Sequence, residues 1–296
     1  DAIPTVLTMT VVPILGAGSS MADYRIGFKW WALIIAVVFV ISELVCVVCV
    51  PERPVACDEK PGKISDMFKA LFKNDQAMTV VVSIILVYTS LNICGNLVLY
   101  FFRFDVGNEG AYSIFAAVAF AAQVLVMMVI PLLRKRFSKS QLFISGFIIQ
   151  IAGFAVILIM AFAKLYTPQS WYILCLPGIL IYLGYGMLNV IMTIFLSDSV
   201  DYGEVMNGTR EESVIFSMQT FTVKLASGVA VFLAGLVVDW IHLDTAAAVQ
   251  TQDTLDALRM WMTIPSVILL IVGIFVFKRF YKLDDTRMEE IKSKLN

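Results

Sequence analysis

Lys224 is a cation inside an otherwise apolar run, residues 213–241. It lies about ten residues from the start of that run, or roughly 15 Å along a helix at 1.5 Å per residue. A lysine near the end of a membrane span can snorkel to the headgroups, but one this deep reaches only part way. A charge at such depth points to a water-filled pathway. Thr220 is four residues earlier and shares its helix face, with Gln219 on the adjoining stripe. Asn189 sits at about the same depth in the run 171–196. Its amide would either join two helices or line the same cavity. Asn92 and Asn96 are one turn apart in the run 76–101, and Gln123 lies in the next run. Each of these amides could line a cavity or simply join two helices.

A second cluster is acidic: Asp198, Asp201, Tyr202, Gly203 and Glu204, followed by Thr209-Arg210-Glu211-Glu212. Asp198 and Asp201 are three apart and share a face if the helix continues. Two readings stay open, a solvated loop with a helix N-cap or a charge lock using Arg210, the single cation in that loop. An aspartyl protease would need two carboxylates facing each other from separate elements. Asp198 and Asp201 are neighbours at one helix end and no G-x-G-D motif is present, so no enzymatic activity is expected.

The elements that must position these residues are membrane spans. Hydrophobic residues make up 59% and charged residues 15% of the 296, against about half and a quarter in soluble domains. The excess lies in long runs at roughly 3–18, 28–50, 76–101, 111–133, 141–163, 171–196, 213–241 and 260–280. About 20 helical residues cross a bilayer core. Backbone polar groups must be paired in lipid, and the runs lack barrel-type alternation, so an all-α integral membrane protein of about eight helices is expected.

Charge gives these spans a direction. The loops 51–75, 134–140 and 197–212 and the tail after residue 277 (side A) hold sixteen of the 22 lysines and arginines. The alternate loops hold Arg25, Lys29, Arg103, Lys164 and Arg259. The positive-inside rule makes side A cytoplasmic. Cys46 and Cys49 form a C-x-x-C inside an apolar helix, which reads as packing. A single histidine, His242, builds no usual metal site. The polar stretch 51–75, with Pro51, Pro54, Pro61 and Gly62, is the clearest domain boundary. Asp1 directly before a span on the cytoplasmic side leads to the expectation of further helices upstream.

Several of these motifs together resemble one family. They are Asp198-Ser-Val-Asp201-Tyr202-Gly203-Glu204, Arg210-Glu211-Glu212-Ser213, Ser217-Met-Gln219-Thr220 and Val223-Lys224, supported by Lys73-Asn74-Asp75-Gln76 with Asn92 and by Arg279-Phe280-Tyr281-Lys282-Leu283. The chain resembles the glycoside–pentoside–hexuronide:cation symporters of the major facilitator superfamily. That resemblance implies twelve helices in two six-helix bundles, of which this chain would hold helices V to XII. Residues 1–50 would be the last two helices of the amino-terminal bundle, 51–75 the cytoplasmic middle loop, 76–283 the carboxy-terminal bundle and 284–296 a cytoplasmic tail. It implies alternating-access symport of a small sugar or glycoside with Na+, Li+ or a proton, without a cofactor or nucleic-acid partner. Membrane lipid would be the third partner, in a multi-pass protein of the bacterial cytoplasmic membrane. Lys224 matches the family's helix XI lysine near cation and sugar, Gln219 and Thr220 match the polar positions before it, and the acidic block matches residues that support a cytoplasmic gate. One departure is Asn189, where a member of the family has tryptophan. A second is that the family's main cation and sugar carboxylates lie on helices II and IV. A fragment or structural bundle without transport activity is therefore the competing expectation.

Overall fold

A computed structural model describes residues 11–12, 14–16, 21–49, 72–208, 212–245, 247 and 249–295. The chain divides into two units, Asp1–Gly62 and Lys63–Asn296. In the first unit, helix α1 spans Met21–Cys49. Its apolar side chains are open along its length, with Phe39 and Val48 well exposed. The expected span at 3–18 and the loop to residue 71 lie outside the described residues, apart from 11–12 and 14–16.

The regular elements among the described residues of the second unit are all helices. Helix α2 (Asp75–Tyr100) continues into a π-helical turn, Phe101–Asp105. It is followed by α3 (Ala111–Leu133), α4 (Lys139–Phe162), α5 (Cys175–Asn207), α6 (Glu212–Trp240), α7 (Gln252–Phe280) and α8 (Asp285–Leu295). Seven helices among the described residues, α1 to α7, are long and apolar enough to cross a membrane.

Local chemistry sets the ends. Asn74 caps α2 by accepting from the Ala77 amide. Ser138 and Gln141 form a reciprocal capping box at α4. Thr251 caps α7 by accepting from the Thr254 amide. Gly208 ends α5 at φ 73°, a left-handed conformation that glycine adopts without a Cβ penalty.

Helix α2 packs on α5, α6 and α7, while α5 also packs on α3 and α4 and α4 closes on α7. Small residues allow the closest crossings. A Cβ on Gly184 of α5 would stand 2.5 Å from the Gly146 carbonyl oxygen and 2.6 Å from the Gln150 amide nitrogen, both on α4. Between α2 and α7, Ser266 Oγ donates to the Ser90 carbonyl at 2.8 Å and Ser90 Oγ donates to the Ser266 carbonyl at 3.1 Å. Buried aromatics fill the side A end, with Phe143, Phe195, Phe277 and Tyr281 in ring contact.

Three boundaries differ from the sequence expectation. Helix α5 does not stop near residue 196 but runs to Asn207, so Asp198 to Glu204 are helical. Asp198 and Ser199 are polar yet buried, and their partners lie inside the bundle, which hydropathy does not register. Helix α7 begins at Gln252 rather than near 260, so Arg259 is a helix residue and not a loop cation. Likewise Arg103 lies in the π-turn that extends α2. The segment 284–296 carries α8, which buries Met288 and Ile291 with Leu283, against Tyr202, Val205 and Tyr281.

Candidate functional site: a polar row in mid-span and a charged cluster at side A

The polar residues of the central helices form a row. Asn189 Nδ2 on α5 donates to Tyr88 Oη on α2 at 2.5 Å. Thr193 Oγ1, one turn along α5, donates to the Asn189 carbonyl at 3.1 Å. Gln219 Nε2 on α6 donates to Thr193 Oγ1 at 3.3 Å. The row thus crosses α2, α5 and α6 through side chains that are half-buried or exposed. Tyr185 stands edge-on to Tyr88 with centroids 5.5 Å apart, and Tyr182 is next to it at 6.4 Å. Thr220 and Lys224 lie further along α6 on its exposed face. Among the described residues Lys224 has no carboxylate partner. The row offers hydroxyls and amides beside aromatic rings, a surface suited to a polyhydroxylated ligand.

Gln123 stands apart from this row, and Asn92 meets it only at the Tyr88 backbone. Asn92 Nδ2 turns back to the Tyr88 carbonyl at 2.7 Å, and Asn96 does the same to Asn92. Gln123 packs over Gly186 between α3 and α5, where a Cβ would meet its Cγ at 3.2 Å. Tyr88 and Thr193 were not singled out from sequence. Tyr88 is four residues before Asn92, so the stripe that marked the asparagine contained the signal.

At side A the motif residues meet. Asn74 Nδ2 donates to the Ser199 carbonyl at 2.8 Å, and a Cβ on Gly203 would stand 2.8 Å from that same nitrogen. Tyr202 reaches Asp75. Gln76 Oε1 accepts from the Lys282 amide at 2.8 Å, which ties the start of α2 to the end of α7. Asp198 is buried against Lys139 Nζ at 2.5 Å, and Asp285 of α8 lies 3.6 Å from the same ammonium. Arg134 joins Asp285 at 3.4 Å. Asp201 and Glu204 face this end with interactions of their own. Arg210 lies outside the described residues. Lys139 is therefore the cation found on Asp198. Sequence counted Lys139 as a loop charge, because its partner is 59 residues away. Tyr281, stacked below, is pushed well above the usual phenol range by burial, with the nearby Asp198 and Asp285 adding to the effect.

The opposite end holds a cluster that sequence did not single out. Arg259 Nε and Nη2 donate to both oxygens of Asp105, at 2.8 and 2.5 Å. Arg259 Nη1 reaches Asp256 at 2.6 Å, and Tyr166 Oη donates to Asp105 Oδ2 at 2.6 Å. No group of three or more histidine, cysteine, aspartate or glutamate residues suited to a metal ion occurs among the described residues.

Long apolar helices with a polar row in mid-span define a multi-pass membrane protein, and comparison with known proteins narrows this. A family profile described as MFS/sugar transport protein matches residues 2–285, so the chain belongs to that family. It is 25% identical to the uncharacterized symporter YjmB of Bacillus subtilis, covering 79% of this chain and 49% of that protein. It is 24% identical to the raffinose carrier protein of Pediococcus pentosaceus, over 98% of this chain and 45% of that protein. It is also 24% identical to the isoprimeverose transporter of Lactiplantibacillus pentosus, over 94% and 56%. The chain spans about half the length of these curated relatives. Family and relatives are transporters, not enzymes.

Proposed function

We propose that this chain works in sugar:cation symport of the glycoside–pentoside–hexuronide type, in a bacterial cytoplasmic membrane. The observation that supports it most is the Tyr88–Asn189–Thr193–Gln219 row, continued along α6 by Thr220 and Lys224. Relatives named for raffinose and isoprimeverose carriage support a sugar as the cargo. In this reading sugar hydroxyls bind along the row and a tyrosine ring covers an apolar sugar face. Lys224 sets the local positive charge. A coupling cation, Na+, Li+ or a proton, would then change the charge balance around it, and sugar affinity would follow. The Lys139–Asp198 pair, with Asp201, Tyr202, Gly203 and Glu204, closes the side A end, and Arg210 is assigned to the same gate. Asn92 and Gln123 take a lining role only if the site widens towards α3.

The direct test is Lys224→Ala in proteoliposomes. Coupled sugar uptake should be lost while membrane insertion is retained. Unchanged cation-driven uptake would contradict the central place given to Lys224, and a protein inserted correctly but silent for every sugar would favour the competing reading as a non-transporting bundle.

A further inference from the structure

The two ends of the six-helix unit α2–α7 are tied by different chemistry. At the Arg259 end the guanidinium grips Asp105 with two parallel hydrogen bonds, and both side chains are 3% exposed. Tyr166, from the connection between α4 and α5, donates to the same carboxylate. Asn108 Nδ2 donates to the Pro168 carbonyl in that connection at 3.1 Å, and Lys164 Nζ lies 3.3 Å from Gln252 Oε1 at the start of α7. Three separate segments are thereby joined: the end of α2, residues 163–170 and the first turns of α7. At the Lys139 end the ammonium is a single point charge. It is shared between buried Asp198 and Asp285, whose side chain is 41% exposed. A guanidinium fork fixes an orientation, whereas an ammonium with rotatable donors exchanges partners easily.

The backbone leading to Asp105 is also irregular. Asp105 closes the π-turn Phe101–Asp105, where the Val106 amide bonds back to the Phe101 carbonyl. Such a turn carries one residue more than an α-turn and is rare. Without the extra residue, Asp105 would be rotated by about 100° around the helix, away from α7. Stability alone is a poor reason for such a pair. Desolvating two charges offsets most of their attraction, and apolar residues of similar volume pack as well or better. What a buried ion pair can supply instead is register.

We propose that the Asp105–Arg259 clasp is a registry device that holds the end of α2, the start of α7 and residues 163–170 as one rigid body. The inference does not depend on the identity of the cargo, and its test reads amide exchange, so failure would leave the transport reading standing.

The test uses the full chain in nanodiscs, as wild type, as Asp105→Asn, as Arg259→Met and as the double variant Asp105→Leu with Arg259→Met. Hydrogen–deuterium exchange is followed in peptides covering 101–110, 163–170 and 252–262, and in peptides covering 72–80, 138–146 and 197–207. The second group serves as the internal reference and should keep wild-type exchange in the double variant. Each single variant should lower the thermal midpoint by leaving a buried charge unpaired. The double variant should recover a midpoint close to wild type, yet all three segments of the first group should exchange about tenfold faster together. Wild-type exchange in the double variant, or acceleration confined to 101–110, would overturn the proposal. So would a double variant that loses as much thermal midpoint as the single ones, because the clasp would then be holding stability and not register.

Discussion

Asn189 and Tyr88 lie 101 positions apart in sequence, yet the asparagine amide donates to the tyrosine hydroxyl at 2.5 Å. The tyrosine therefore sets the orientation of an amide that the proposed function places against the sugar. Removing the hydroxyl in Tyr88→Phe leaves that amide without its partner but keeps the ring. The expected result is an apparent KM for sugar raised about tenfold, equivalent to about 1.4 kcal/mol, with little change in maximal rate. Counterflow measured over a range of sugar concentrations checks this. A changed rate at constant KM would remove Asn189 and Tyr88 from the binding step.

Lys139→Ala leaves Asp198 as a buried carboxylate without its cation. The loss should be about 3–5 kcal/mol, seen as a lower thermal midpoint in detergent. The same change frees Asp285 from one of its two cations, so α8 should become more sensitive to protease than in wild type. An unchanged α8 would mean that its apolar contacts through Met288 and Ile291 suffice to hold it.

Gly184→Ala tests the α4–α5 crossing. The new Cβ would meet backbone atoms of Gly146 and Gln150, which have no rotamer to yield, so destabilisation of about 1–3 kcal/mol is expected. Gly95→Ala is the control, since a Cβ there, within α2, meets nothing within 4 Å. It should be neutral or stabilising by up to about 1 kcal/mol. Thermal denaturation of both variants, measured side by side, separates tight packing from helix propensity.

Tyr281 carries a buried hydroxyl without a hydrogen-bond partner among the described residues. Tyr281→Phe should therefore raise stability by about 1 kcal/mol at neutral pH, because a desolvated group is removed. Burial pushes the phenol up, so the folded protein holds this proton more tightly than the unfolded chain. Its contribution is fully present below about pH 10, the unfolded value, and is lost as pH rises beyond it. Stability of the phenylalanine variant should fall less steeply above about pH 10. Equal slopes in alkaline unfolding would show that Tyr281 does not govern that limb.

Much of this architecture was legible from the length of apolar runs, because a span must satisfy its backbone internally and stay apolar for about 20 residues. The runs at 76–101 and 111–133 correspond closely to α2 and α3. Helix ends were less legible where polar side chains point inward. Asp198 and Ser199 read as loop residues, but Lys139 and Asn74 receive them inside the bundle. Arg259 read as an outer loop charge for the same reason, its partner Asp105 being 154 residues away. In the mid-span row, Asn189 and Gln219 stood out as amides in apolar runs, and Thr193 links them. Thr193 and Tyr88 did not stand out, since threonine and tyrosine are common in membrane helices and only the folded chain brings them to the amides.

In the proposed function this family member moves a sugar with a cation along the α2–α5–α6 row. The most direct measurement is counterflow of a radiolabelled panel of glycosides, pentosides and glucuronides in proteoliposomes, with sodium, lithium or choline and with pH varied. The expected result is exchange of at least one sugar that depends on sodium, lithium or protons and disappears in Lys224→Ala. Correctly inserted protein that exchanges no sugar under any of these cations, or exchanges one with no dependence on any of them, would contradict it.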